Sequence, residues 1–336
     1  MNIFVLNKRR ILRLFLTLTI LAIITYFILL VIHNKNNRLF IGGTLNDLEE
    51  DRGYDKVSSP PDYESYFRPS CAPLINTKNV TDLLNQNAEI TNYTQVKIND
   101  DIFKEQENML IYYFSILREA YNLQDGLGAG CGSLGYTGTP YMISYNFLSN
   151  DYMKKVSYSD YHNSFKNVLH INLIKLIKVQ NDENDSINQK YLFEIETIQG
   201  TKNNSGAFVY YYGFIYVKNQ DNLYKINNIV TYPEVYLCAP YHGWSYSAEA
   251  IIDIEYGGWC SMVKEKYETK YDGDIKSIEF KSFDNKNYVI KFVTLANDTD
   301  VQIGQYLKKE DGTLEETYIS VTSCLDNKNK KDKNNQ

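Results

Sequence analysis

Residues 215–229 read IYVKNQDNLYKINNI, which is two apolar stretches separated by a short polar segment. The polar segment, residues 219–222, is rich in Asn and Asp, whose side chains favour turns by hydrogen-bonding the nearby backbone. Two strand-like stretches joined so closely predict an antiparallel hairpin, with its second strand over residues 223–230. This hairpin predicts that the neighbouring residues form an antiparallel sheet.

The residues before the hairpin extend it into a larger sheet. Residues 191–198 alternate between apolar and polar types, which places Glu194 and Glu196 together on one face of a strand. Residues 168–179 are mainly apolar, and residues 207–217 are rich in Tyr and Phe, as is typical of strands. We therefore predict a sheet of at least four strands between residues 168 and 230.

Helices are predicted before this sheet. Apolar residues recur in steps of three and four along residues 105–123, which predicts a long amphipathic helix. Residues 141–152 and 161–169 are expected to form shorter helices, the second with Ser159 or Asp160 as its N-cap. Helices followed by an antiparallel sheet indicate the α+β class.

The chain after the sheet has a different pattern. Residues 248–263 fit either a helix interrupted at Gly257 or a pair of strands, with a helix favoured for the first half. Four strand-like stretches then follow at close spacing, over residues 275–283, 288–295, 301–307 and 313–321. Such spacing predicts an antiparallel meander.

The order of elements resembles the NTF2-like (cystatin-like) fold module of membrane-anchored Firmicutes envelope proteins. The pieces that carry the resemblance are the helix around Tyr112, residues 147–152, residues 159–165 and the hairpin 215–229. The resemblance implies a curved sheet that wraps a helix and leaves a conical pocket. It does not imply an activity, because this fold serves enzymes and non-enzymes alike.

A membrane anchor is predicted near the N-terminus. The stretch from Leu14 to Ile32 has no charged residue, and a helix from Ile11 to Ile32 would be roughly 33 Å long, enough to cross a bilayer. Four basic residues precede Leu14 and two follow Ile32. This excess places residues 1–10 in the cytosol and the bulk of the chain outside the cell. A cleaved signal peptide is the alternative, but no small-residue cleavage site follows the stretch.

Charge excludes nucleic acid as a partner. The first 40 residues hold six basic residues and no acid, which leaves 29 bases against 41 acids downstream. A body with this acidic surplus is not suited to binding phosphate backbones. The Asn-, Lys- and Ile-rich composition suggests a low-GC Gram-positive source.

The sequence divides the chain into further regions. Residues 33–104 are expected to be a tether and a mixed extracytoplasmic segment, because residues 34–62 show no apolar period. Residues 105–263 are assigned to the α+β, NTF2-like domain and residues 264–325 to a β-rich part. The tail, residues 326–336, has no apolar residue and is expected to be disordered.

The five cysteines all follow the predicted anchor, so they face an oxidising compartment in this topology. Cys238 and Cys260 flank one aromatic-rich stretch and are the favoured disulfide pair. An odd count leaves at least one thiol unpaired or paired with another chain. Free buried thiols are the alternative, and spacing alone does not settle the connectivity.

Few residues suggest catalysis. A thiol enzyme would use Cys131 or Cys238 with His242, and Cys131 lies in a glycine-rich run, residues 125–138. That run does not fit a phosphate-binding loop, because a helix precedes it and Thr139-Pro140 follow it. His162 with Asp160 is more consistent with surface or capping roles. No metal site and no cofactor are predicted.

Three aromatic residues, Tyr212, Trp244 and Tyr246, are candidates for ligand contact, including stacking on cell-wall glycan, although sheet packing explains them equally. The sequence thus predicts a single-pass, extracytoplasmic binding or assembly module in the cell envelope, non-enzymatic and with a protein or peptide partner. A cell-surface thiol enzyme of the peptidase or transpeptidase type and a glycan-binding protein are the alternatives.

Overall fold

The computed structural model describes residues 38–45, 72–128, 138–234 and 243–334. Within these ranges the protein is α+β and contains two β-sheets, each of six strands. The predicted anchor from Ile11 to Ile32 lies outside them. No helix in the described ranges is long and apolar enough to cross a bilayer.

The first sheet has the strand order β1-β2-β6-β5-β4-β3, and all its pairs are antiparallel except β2 with β6. The four long strands predicted from alternation and aromatic content are confirmed, and each extends close to or beyond the expected bounds. Its strands are β1 (Arg38–Phe40), β2 (Gly43–Leu45), β3 (Val168–Lys178), β4 (Asn188–Gly200), β5 (Gly206–Gln220) and β6 (Leu223–Pro233).

Among the described residues, five α-helices precede β3, most of them packed on one face of this sheet. They are α1 (Thr81–Gln86), α2 (Gln106–Arg118), α3 (Thr139–Tyr145), α4 (Asn150–Lys155) and α5 (Tyr158–Asn163). The rings of Phe114, Phe147 and Phe193 lie between α2 and the sheet, all fully or almost fully buried. Burial of these apolar side chains supplies the main stabilising free energy of this part.

Helix α2 confirms the predicted long helix but is shorter at its C-terminal end. Asn122 leaves the helix and its N–H donates to the carbonyl of Val168, 2.8 Å away. This bond fixes the chain to the edge strand, so the helical pattern cannot continue to residue 123.

The predicted helix over residues 141–152 is instead two helices. Ser149 separates them, because its hydroxyl accepts the N–H of Tyr152 and its own N–H donates to Ile226 of β6. The next helix, α5, begins after Ser157 rather than after Ser159 or Asp160. Ser157 accepts the N–H of Asp160 and donates to the carboxylate of the same residue, a reciprocal cap.

Residues 38–45, assigned above to a tether, form a hairpin that is part of the body. Ile41 at its tip is 1% exposed, and the Gly42 N–H donates to the Ser164 hydroxyl at 2.9 Å. The Gly42 carbonyl accepts from the Tyr152 hydroxyl, also at 2.9 Å. Gly42 has φ +75°, and a Cβ there would lie 2.5 Å from the Tyr161 ring, so only glycine fits. The tether interpretation is therefore wrong for this segment.

The second sheet has the order β12-β11-β10-β9-β7, and β8 also pairs with β9. This confirms the predicted meander, although the last stretch forms only a three-residue strand. The strands are β7 (Val263–Lys266), β8 (Lys270–Asp272), β9 (Ile275–Ser282), β10 (Asn287–Thr294), β11 (Asp300–Lys308) and β12 (Leu314–Glu316).

A helix covers this second sheet and settles the ambiguity over residues 248–263. It is α-helical over Ala248–Ile251 (α6) and continues as a π-helix over Ile252–Trp259. Ile252 and Tyr256 pack on Phe280 and Phe292. The helix therefore belongs with the second sheet. The boundary between the two parts of the protein lies before residue 248, and not at residue 263 as the sequence predicted.

The C-terminal tail is not disordered over most of its length. Helix α7 spans Val321–Asn334, so the expectation of disorder from residue 326 is wrong through residue 334. Cys324 in α7 forms a disulfide with Cys260, and Lys328 donates to the Gly258 carbonyl at 3.1 Å. The disulfide and this hydrogen bond hold the helix in place. Residues 326–334 have no apolar residue, so no apolar pattern predicted a helix there.

Candidate functional site: the cleft between the two sheets

The two sheets meet along a seam that is apolar at its centre. Leu192 of β4 packs with Val293 and Leu295 at the end of β10 and with Ile303 of β11. Tyr212 and Phe214 of β5 lie against the same cluster. The face of β4 opposite the aromatic interior is thus covered by the second sheet.

Buried carboxylates fix the seam on one side of this cluster. Glu194 is fully buried, and its Oε1 accepts the N–H of Ala296 at 2.7 Å. Glu234 accepts the neighbouring N–H, that of Asn297, at 3.1 Å. Both backbone groups belong to the turn between β10 and β11, so two carboxylates of the first part hold one turn of the second.

A lysine compensates the buried charge. The Lys175 ammonium lies 3.3 Å from Glu194 and 2.9 Å from Asp274, which precedes β9. Burial raises the pKa of Glu194, although Lys175 and the Ala296 N–H oppose the shift. Burial alone would lower the pKa of Lys175, but Glu194 and Asp274 outweigh it and raise that pKa. The seam is therefore a specific polar contact with an apolar centre.

A cleft of about 310 Å³ opens at the other side of the apolar cluster. Its volume is at the lower end of the range of small-molecule sites, ~300–1,000 Å³. Both sheets contribute to it, together with the segment before α7. It is lined by residues 179–183, Lys190, Phe214, residues 302–305 and residues 318–320.

One wall of the cleft carries an ion pair over aromatic rings. The Lys190 ammonium lies 2.5 Å from Asp182 and 4.3 Å from the centroid of Phe214. The Tyr216 hydroxyl donates to the same carboxylate at 2.7 Å. Burial and Asp182 raise the pKa of Tyr216, so it remains a hydrogen-bond donor. Asp182 and Lys190 thus neutralise each other.

The opposite wall is the C-terminal strap, residues 317–320, which two glutamines hold in place. Gln305 donates to the carbonyl of Ile319 at 3.1 Å and accepts its N–H at 2.5 Å. Gln180 accepts the N–H of Gln305 at 2.7 Å and donates to the carbonyl of Thr317 at 2.9 Å. The two side-chain amides add to the backbone bond from the Thr317 N–H to the Gln305 carbonyl, 3.0 Å, so the strap is a fixed wall of the cleft.

Several polar groups of the cleft are not used by the fold. Among the described residues, the Glu183 carboxylate has no hydrogen-bond or ion-pair partner, and neither Nδ2 of Asn181 nor Nε2 of Gln302 has an acceptor. Tyr318 on the strap is 41% exposed. The cleft therefore offers an acceptor, two donors and an aromatic face to a ligand.

The sequence candidates lie elsewhere. Cys131, Cys238 and His242 fall outside the described residues, so the thiol-enzyme alternative stays a prediction. Tyr212 stacks on Tyr232 with ring centroids 5.2 Å apart, at the seam. Trp244 packs edge-on against Trp259 at 5.5 Å, beside the second sheet, and Tyr246 shares its short helical turn. Packing within their own parts thus engages both Tyr212 and Trp244.

The disulfide prediction is wrong. Cys260 pairs with Cys324, so it cannot pair with Cys238. The partner was not predictable from local sequence, because 64 positions separate the two cysteines.

The two histidines that the structure describes, His162 and His170, form no hydrogen bond or ion pair with a carboxylate. Asp160 bonds to Ser157, and the His162 ring packs edge-on against Tyr141 at 4.9 Å. Burial lowers the pKa of His162. In the described parts of the chain, no group of three or more His, Cys, Asp or Glu residues is arranged to hold a metal ion.

Sequence reasoning missed the cleft because its lining comes from five separated segments. The sequence signal for the seam was the pair Glu194 and Glu196 on a single strand face, which alternation identified but which would normally face water. No family model, no curated protein and no solved structure was found to match this chain.

Proposed function

We propose that this protein is a single-pass, membrane-anchored, extracytoplasmic binding or assembly module without enzymatic activity, and that the cleft at the seam is its ligand site. The observation that carries the proposal is the cleft itself. Residues of both sheets and the strap line this open cleft, and it retains polar groups that the fold does not use.

The proposal includes an NTF2-like first part. The order supports it: the long helix α2, three short helices, and then four antiparallel strands in sequence. The implied conical pocket between helix and sheet is not where we place the ligand. Large aromatic side chains occupy that space, and the hairpin tip at Ile41 is buried against them.

The proposed compartment is outside the cytosol, in the cell envelope of a Gram-positive bacterium. The Cys260–Cys324 disulfide supports it, because disulfides persist mainly in oxidising compartments. The uncharged stretch from Leu14 to Ile32 and its flanking basic residues support the same orientation. The partner is proposed to be another envelope component rather than nucleic acid.

A cysteine-labelling experiment tests location and cleft exposure together. Glu183→Cys places a thiol at the rim of the cleft, in a background in which Cys71, Cys131 and Cys238 are serine. A membrane-impermeant maleimide added to whole cells should label it, whereas Asn2→Cys should label only after permeabilisation. Labelling of Asn2→Cys alone in whole cells would overturn the topology, and no labelling of either would place the cleft in the cytosol.

A further inference from the structure

The unused groups of the cleft have a defined chemistry. Glu183 accepts hydrogen bonds, whereas Nδ2 of Asn181 and Nε2 of Gln302 donate them. Tyr318 adds an exposed ring on the strap. A ligand that satisfies this set needs several hydroxyl or amide groups and an apolar C–H face to lie against the ring.

The charged residues of the cleft limit the chemical class of its ligand. The cleft contains two carboxylates, Asp182 and Glu183, and one ammonium, Lys190, which is already paired with Asp182. The chain as a whole is also acidic, with a net charge of −6. A phosphate or carboxylate ligand would meet an unpaired carboxylate, and the described lining residues offer no free cation, which is unfavourable.

The polarity and the volume of the cleft limit the class of ligand further. Lipid tails are excluded because an apolar ligand would leave the unused polar groups of Glu183, Asn181 and Gln302 without partners. The volume of about 310 Å³ suits one or two sugar rings rather than a folded partner. A peptide would also bring amides, but its recognition would use unpaired strand edges, and the strap already covers β11 at Gln305.

We propose that the cleft binds a neutral saccharide unit, with Glu183 accepting from its hydroxyls, Gln302 and Asn181 donating to its oxygens, and Tyr318 covering its C–H face. This rests on the proposed function, that the cleft is a ligand site. It moves the glycan alternative from Trp244 and Tyr246, beside the second sheet, to the seam.

The test is calorimetric titration of the purified full chain in detergent with two neutral disaccharides, the β-1,4-linked dimer of N-acetylglucosamine and maltose. We expect saturable binding of at least one. Tyr318→Ala and Glu183→Ala should each weaken it about tenfold. The matched controls Tyr271→Ala, an exposed tyrosine on β8, and Glu89→Ala, an exposed glutamate without a partner among the described residues, should change it less than about twofold.

The outcomes separate this inference from the function on which it rests. Preference between the two dimers distinguishes a β-1,4-linked, N-acetylated unit from an α-1,4-linked, unmodified one. No heat from either dimer up to about 10 mM overturns the saccharide class, as does binding that the cleft variants leave unchanged. A lysine-rich hexapeptide serves as the comparison probe. If it binds and Glu183→Ala weakens that binding, the cleft remains a ligand site but its ligand is a cationic peptide.

Discussion

The first sheet surrounds an interior of large aromatic side chains, whereas the second sheet depends on a small apolar cluster and on contacts from outside it. Tyr113, Phe147 and Phe193 of the first interior are fully buried. The buried cluster of the second sheet is confined to eight residues, Ala248, Ile251, Ile252, Tyr256, Ile278, Phe280, Ile290 and Phe292. Small cores stabilise a fold weakly, so the second part needs additional constraints.

Those constraints are visible at two places. The Cys260–Cys324 disulfide fixes α7 to the π-helix, and the buried carboxylates of the first part hold the β10–β11 turn. The second sheet is thus ordered partly by the first. Because the cleft lies at the seam, its geometry depends on this docking.

The largest expected effect is in the aromatic interior. Phe193→Ala should lower the free energy of unfolding by about 3–5 kcal/mol, because it leaves a cavity in a fully buried site. Urea denaturation measures this loss. Hydrogen exchange should show that backbone amides of both sheets are less protected in the variant. Phe280→Ala, the matched change in the second core, should remove protection from the second sheet only. Equal loss of protection in β3–β6 with Phe280→Ala would contradict the proposed dependence.

Removal of the disulfide should affect the second part next. Cys324→Ser opens a covalent loop between residues 64 positions apart and should cost about 2–4 kcal/mol. Thermal unfolding with and without reductant measures this, and the reductant should shift the wild type to the variant's Tm. A Tm that neither change lowers would show that the apolar cluster suffices.

The hairpin at residues 38–45 gives a smaller, local test. Gly42→Ala should cost about 1–3 kcal/mol, because φ is positive and the new Cβ meets the Tyr161 ring. Gly126→Ala is the control, since φ there is +82° but nothing lies within 4 Å of the added Cβ. It should cost only about 1 kcal/mol. Equal losses would mean that the hairpin tip is not docked as described.

The smallest expected effect is the pH dependence of the seam. The folded state holds the Glu194 proton more tightly than the unfolded chain, because burial raises the pKa of this group. Its stabilising contribution is therefore present below the unfolded pKa and is lost as pH rises through the folded pKa. Lys175, Glu234 and Asp274 face the same site.

Urea midpoints at pH 5 and pH 7 measure this contribution. The urea midpoint of the wild type should fall between pH 5 and pH 7. The part of this fall that is due to Glu194 should be absent in Glu194→Gln, whereas Glu89→Gln should behave as the wild type. A Glu194→Gln protein with the same pH dependence as the wild type would assign the effect to other groups.

Part of this architecture was predictable from sequence. Alternation over residues 191–198 and the turn at residues 219–222 identified β4, β5 and β6 because their periodicity is local. The helix at Gln106–Arg118 followed from its apolar stripe for the same reason.

The remainder depends on contacts between distant residues. The hairpin tip is recognised by Tyr152 and Ser164, more than a hundred positions away. Helix α7 is polar from Asp326 onward, and the disulfide partner of its Cys324 is in another element. The cleft joins Gln180 with Gln305, and no local pattern marks either glutamine.

The most direct test of the cleft as the ligand site is to block it covalently. Glu183→Cys, with Cys71, Cys131 and Cys238 replaced by serine, is treated with a bulky maleimide, and disaccharide binding by the full chain is measured before and after. Unmodified Glu183→Cys should bind about tenfold more weakly than the wild type, and modification should abolish the remaining binding. The same treatment of Glu89→Cys should leave wild-type binding unchanged. Undiminished binding by the fully modified Glu183→Cys protein would place the ligand elsewhere and contradict the account.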